Sequence, residues 1–164
     1  MTNEMIFMAT VAVVVMTAYL VYAGVRHGSV PTSISQTVYD MRNKWTWTAV
    51  LGIEAWLITP AFVEQTSENT KFLAFLTVVA IGVLAVSPLW LKERNTLHNV
   101  AGTAACVLSQ LAVALNAPHL LLAWLLFPLC LPFEWGRRRW LLVAEVLCVA
   151  VVVAFCFLNG SVCP

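Results

Sequence analysis

Long runs of Val, Leu, Ile and Ala, broken by short polar stretches, set the pattern of this 164-residue chain. The runs fall at about 5–25, 45–63, 72–91, 99–116, 118–135 and 140–158. A helix rises 1.5 Å per residue, so each run is long enough to approach the roughly 30 Å of a bilayer's hydrocarbon core. The pattern predicts an all-α, polytopic membrane helix bundle of six transmembrane helices, folded as a single transmembrane domain over 1–164. The fifth run is the shortest in its purely apolar part, Leu120 to Phe133, and it carries Pro128 and Pro132. Proline removes a helix donor and crowds the preceding turn, which predicts a kinked or partly re-entrant element there. Asn116 or Ala117 is placed to cap it, with Pro118 at the first helical position.

The longest polar break follows the first run. Ser33-Ile-Ser-Gln36 fits a capping box, in which a serine caps the third amide and the glutamine reaches back. Ile34, Val38 and Met41 then recur at helical spacing, with Ser35, Gln36, Asp40 and Arg42 on the other side. A short amphipathic helix at the membrane interface, about 34–43, is the expectation, with Pro31 fixing its entry and Trp45 leading into the second span. Ser33, Ser35, Gln36 and Tyr39 are its candidate working residues. Before the third run, Thr66 or Ser67 can cap a helix start, and Glu68 suits its first turn.

Pro31-Thr-Ser-Ile-Ser-Gln-Thr-Val-Tyr39 resembles a Pro-x-Ser-Ile-Ser-x-x-Tyr-Tyr pattern in small multi-span membrane proteins of Bacteroides-type bacteria and their phages. The likeness covers about a dozen residues and the span layout, and it departs at Val38, where the pattern has an aromatic residue. It implies a bacterial or phage-borne inner-membrane protein and brings no activity with it.

Composition strengthens the membrane reading. Hydrophobic residues make up 61% of the chain, charged residues only 10%, and mean hydropathy is +0.86; soluble domains average about 25% charged residues. The net charge of +1 gives no sign of a nucleic-acid partner. Its distribution says more, because eight of the nine basic residues lie in the breaks after the first, third and fifth runs: Arg26, Arg42, Lys44, Lys92, Arg94, Arg137, Arg138 and Arg139. The positive-inside rule makes that side cytoplasmic and leaves both termini outside. Trp45, Trp47, Trp90, Trp135 and Trp140 fall near the same side, as interfacial anchors do. The first run follows Glu4 and not a basic segment, so it is expected to stay as a helix and not be cleaved. Cys106, Cys130, Cys148 and Cys156 lie inside apolar runs and read as small buried hydrophobes, while Cys163 lies outside the last run and could pair between chains.

Against this background the polar residues inside the runs stand out. Glu54 lies mid-way along the second, Glu145 early in the sixth, and Gln110 in the fourth, with Thr103, Ser109 and Asn116 beside it. An intramembrane carboxylate costs on the order of 2.5–3.5 kcal/mol on insertion scales and usually faces a partner or a water-filled path. The second, fourth and sixth helices run parallel in a six-span layout, so Glu54, Gln110 and Glu145 could line one polar cavity that binds or passes a small cation or solute. The competing account makes them interhelical hydrogen-bonding glue. Gly102, Cys106 and Ser109 form a stripe of small residues suited to close helix contact.

Motifs for catalysis are thin. His27, His98 and Glu93 lack metal-ligand spacing and read as interfacial polar residues, Ser87 has no base near it in sequence, and no cofactor motif is present. Arg137, Arg138 and Arg139 read as a topology lock that attracts anionic lipid. Two roles follow. One is an inner-membrane cation or solute binder, a homo-oligomer in the bilayer. The other is a non-catalytic interaction or regulatory protein acting through its cytoplasmic segment 27–44.

Overall fold

The computed structural model describes residues 2–40, 43–90 and 96–158, and every regular element among them is helical. The helices are α1 (Asn3–His27), α2 (Thr37–Asp40), α3 (Lys44–Gln65), α4 (Lys71–Trp90), α5 (Thr96–Asn116), α6 (Leu126–Cys130), α7 (Glu134–Arg138) and α8 (Trp140–Leu158). Turns of 3-10 helix occupy Glu68–Thr70 and Pro118–Leu125. Among the described residues five helices, α1, α3, α4, α5 and α8, are long and apolar enough to cross a bilayer. Their outward faces match that solvent: Val14, Val21, Trp56, Val79 and Leu115 are each more than half exposed. Water would penalise such a surface, whereas lipid tails accept it.

Two buried clusters define the ends of the bundle. Phe62, Leu73, Val113, Ala117 and Phe155 pack together at one end, with Met5 against them. Tyr19, Ile34, Val38, Trp47, Leu51, Ala85 and Leu142 pack at the other. Hence α3 and α8 run in one direction and α1 and α4 in the opposite one. α5 runs with α3 and α8, because the His98 ring near its start lies 6.3 Å from that of Trp47 while Val113 joins the far cluster. The end holding Trp47 also carries Lys44 and the Arg137–Arg139 run, and is called the basic end below.

Because α5 and α8 are parallel, the chain between them must come back from the far end to the basic end. It does so without the single helix expected over 118–135. Ala117 precedes Pro118 at the first position of a 3-10 stretch, then come α6, a turn and α7. Pro128 falls in the first turn of α6, where its missing N–H costs least; its ring crowds the turn before it, where the 3-10 stretch ends, and Pro132 lies in the turn that separates α6 from α7. A 3-10 stretch rises about 2.0 Å per residue, so eight residues cover about 16 Å against about 12 Å in an α-helix. Gly136 lets α7 seat on the end of α6: a Cβ there would fall 2.0 Å from the Cys130 carbonyl oxygen.

The segment after α1 also departs from expectation. α1 ends at Gly28, whose φ of 69° is the left-handed cap that favours glycine, and the chain then folds inward. Ser33, Ile34, Thr37 and Val38 are buried, at 2%, 7%, 2% and 0% exposure. The amphipathic interfacial helix over 34–43 is therefore replaced by a buried plug whose helical part is only Thr37–Asp40. Both its apolar and its polar side chains find partners inside the bundle, which removes the desolvation cost that would have kept it at the surface. Met41 and Arg42 lie outside the described residues. Asn43 caps α3, its Oδ1 accepting from the Trp45 N–H at 3.0 Å.

Two smaller expectations change. Trp45, Trp135 and Trp140 are exposed at 66%, 51% and 54%, as anchors should be, but Trp47 is 1% exposed and belongs to the core. Thr66 closes α3, its hydroxyl donating to the Phe62 carbonyl at 2.7 Å, so it does not cap the next helix. Ser67 precedes the 3-10 turn, and its N–H donates to Asn116 Oδ1 at 2.8 Å. Lys92, Glu93, Arg94 and Cys163, with the side chains of His27 and Trp90, lie outside the described residues.

Candidate functional site

Glu145 is the hub of the basic end. It lies five residues into α8, about 7.5 Å along the helix axis. One carboxylate oxygen accepts from the Ile34 N–H, and the other accepts from the Ser35 hydroxyl at 2.8 Å. One turn earlier, the Leu142 N–H, which has no carbonyl partner inside α8, donates to the Thr32 carbonyl at 3.1 Å. Arg139 adds a third stitch, its Nε donating to the Val30 carbonyl at 3.3 Å. The start of α8 therefore binds the backbone of the plug at three successive places. Within the plug, the Gln36 N–H donates to Ser33 Oγ at 2.9 Å, the first half of the capping box; the Gln36 side chain bonds with Thr32 and does not reach back to Ser33.

The other side of the plug meets a cluster of aromatic and polar groups. Tyr19 and Thr37 share a hydroxyl–hydroxyl bond of 2.7 Å, and Thr37 also donates to the Ile34 carbonyl at 2.6 Å. The Tyr39 ring stands edge-on to His98 with centroids 5.5 Å apart. His98 is 2% exposed and so is not an interfacial residue. Its Nδ1 lies 3.0 Å from Ser87 Oγ, a base brought to that serine by the fold and not by sequence. Ser87 Oγ also lies 3.0 Å from the Leu84 carbonyl, so its one proton is shared between that carbonyl and the imidazole. Among the described residues no group of three or more His, Cys, Asp or Glu is placed to hold a metal.

Gln110 sits elsewhere, between α5, α8 and the 3-10 stretch. Its Oε1 accepts from Trp124 Nε1 at 2.8 Å, and its Nε2 donates to the Cys148 carbonyl and sulfur, each at 3.2 Å. Glu54 lies mid-way along α3, on the inward stripe with Trp47, Leu51 and Ala61. It faces the α1 backbone at Met16, and its Oε1 is buried without a hydrogen-bond partner. Among the described residues no hydrogen bond joins any two of Glu54, Gln110 and Glu145. Each serves a different junction: α3 with α1, α5 with α8, and α8 with the plug.

No family model, curated protein or solved structure matches the chain.

Of the three arginines after α7, Arg138 pairs with Glu134, and Arg139 lies 5.7 Å from the Trp135 ring centroid while it holds Val30. Arg137 is exposed. Sequence reasoning missed Thr37, Tyr19 and Trp124, and set Ser87 aside because no base lies near it in sequence. Thr37 belongs to the same polar stretch as Ser33 and Ser35 and carried a signal. The others pair across 11 to 18 positions with residues on different elements, and nothing in local spacing marks them.

Proposed function

We propose a six-pass inner-membrane protein of bacterial or phage origin that binds or passes a small cation or solute at Glu54, with the plug, residues 30–40, closing its cytoplasmic end. The observation that carries this reading is the buried, unpartnered Oε1 of Glu54 half-way along a membrane-length helix. A carboxyl group there is costly to bury, and its contact with the Met16 backbone still leaves Oε1 without a donor. A small cation or an arriving proton supplies what the protein does not. Six passes are supported by the parallel course of α5 and α8, which requires the 118–139 stretch to return through the bundle, and both termini then lie outside. The basic end is cytoplasmic on this reading, with Arg26, Lys44 and Arg137–Arg139 there and Lys71 at the other end. The alternative, partner docking through segment 27–44, has less support, since Ser33, Ile34, Thr37 and Val38 are turned inward.

Infrared spectroscopy of the protein in lipid tests the site directly. The carboxyl stretch that disappears in Glu54→Gln should shift when sodium, potassium or alkaline buffer is added to the unaltered protein, with thermal stability in detergent nearly unchanged by the substitution. A carboxyl band that ignores all three additions, together with a large loss of stability in Glu54→Gln, would return Glu54 to the role of packing glue.

A further inference from the structure

A second chemistry-bearing cluster lies outside the plug and the Glu54 site. Cys106 on α5 and Cys148 on α8 are both free thiols, and their side chains meet across the helix interface. Cys148 is 5% exposed, yet its sulfur is not in apolar surroundings. Ser109 Oγ lies 3.6 Å away, Gln110 Nε2 3.2 Å away, and the Cys106 carbonyl 3.9 Å away. The orientation of Gln110 follows from its other contact. An indole nitrogen can only donate, so the amide atom that Trp124 Nε1 meets at 2.8 Å must be the oxygen. The NH₂ group is thereby turned toward Cys148. Fixed polar partners hold the Cys148 sulfur in one orientation toward α5, which sets it apart from a cysteine packed only among hydrocarbon. Cys156 shows the contrast, fully buried in the cluster with Phe62 and Phe155.

We propose that Cys106 and Cys148 are a redox-active dithiol, closed to a disulfide between α5 and α8 by a lipid-soluble oxidant of the quinone class. Depth selects that class. Cys106 lies ten residues into α5 and Cys148 eight into α8, about 15 Å and 12 Å from the helix starts, beyond the reach of water-soluble thiol reagents. Cys106 is half-buried at the edge of the α5–α8 interface, next to the exposed Val107, which is the side from which a molecule dissolved in lipid can approach. The step balances as two thiols plus one quinone giving one disulfide plus one quinol. The S–S bond forms as both S–H bonds break, and two electrons and two protons pass to the quinone oxygens.

The test uses the full-length protein in lipid nanodiscs with decylubiquinone as the oxidant. After denaturation, alkylation with N-ethylmaleimide and mass measurement, the five cysteines of the chain should give five modifications before treatment and three after it. Peptide mapping should join Cys106 to Cys148, and dithiothreitol should restore all five. Cys148→Ser should retain all four remaining sites under quinone, and Gln110→Leu should close the pair several-fold more slowly. Five modifications persisting in the unaltered protein, or a bond mapped to other cysteines or between chains, would overturn the proposal. The mapping needs no variant, so it decides the matter even if a substitution prevents folding.

Discussion

Glu145 does two jobs that a carboxylate in a membrane helix rarely combines, since it is both an expensive residue and an anchor for a distant loop. Hydrogen bonds to charged groups contribute about 1.5–3 kcal/mol each, and the Ile34 N–H and Ser35 hydroxyl both depend on this one acceptor. Glu145→Leu should therefore release the plug. A cysteine placed at Ser33, which is 2% exposed, should resist a membrane-impermeant maleimide in the otherwise unaltered protein and react at least tenfold faster in the Glu145→Leu background. Glu145→Gln keeps one acceptor oxygen and should fall between the two. Equal labelling in all three would mean that the plug is held by packing alone.

Among the elements, the return stretch between α5 and α8 is the most sensitive to a single atom. A Cβ on Gly136 would overlap the Cys130 carbonyl, and backbone cannot yield as a flexible side chain can. Overpacking of this kind costs about 1–3 kcal/mol, so Gly136→Ala should lower the melting temperature in detergent clearly. Gly52→Ala is the control, because nothing lies within 4 Å of a Cβ there. This stretch and the plug also mark where the sequence was and was not legible. The long helices followed from apolar length alone, and the short apolar part of the fifth run with Pro128 and Pro132 foretold its break, because these signals are local. The plug was misread for a physical reason: Ile34 and Val38 have helical spacing whether they face lipid or protein, and the contacts that decide between the two come from distant residues, Glu145, Leu142 and Arg139 about 110 positions on and Tyr19 on α1. Glu54, Gln110 and Glu145 were each recognisable as costly residues, but their separation into three junctions depends on which neighbour each helix face meets.

For the whole molecule, topology is the first consequence. Five long helices alone would leave the two ends of the chain on opposite sides, whereas a return through 118–139 brings them to the same side. Reporter fusions at the N-terminus and the C-terminus should both report the outer side, and one inserted after Arg139 should report the cytoplasm. Reporters on opposite sides would mean that the 3-10 stretch does not cross. The charge pattern favours the first outcome, since the exposed Arg137 and Arg138 would otherwise have to move across the membrane.

The function proposed above rests on the Glu54 carboxyl group behind a latched plug, and that arrangement makes opposite demands on two substitutions. Cation and proton flux in proteoliposomes, compared among the unaltered protein, Glu54→Gln and Glu145→Leu, tests it most directly. The account predicts that flux falls to the level of empty vesicles in Glu54→Gln and rises above the unaltered protein in Glu145→Leu, where the plug is free to leave. Flux that is indifferent to Glu54, or absent from all three proteins, would contradict it.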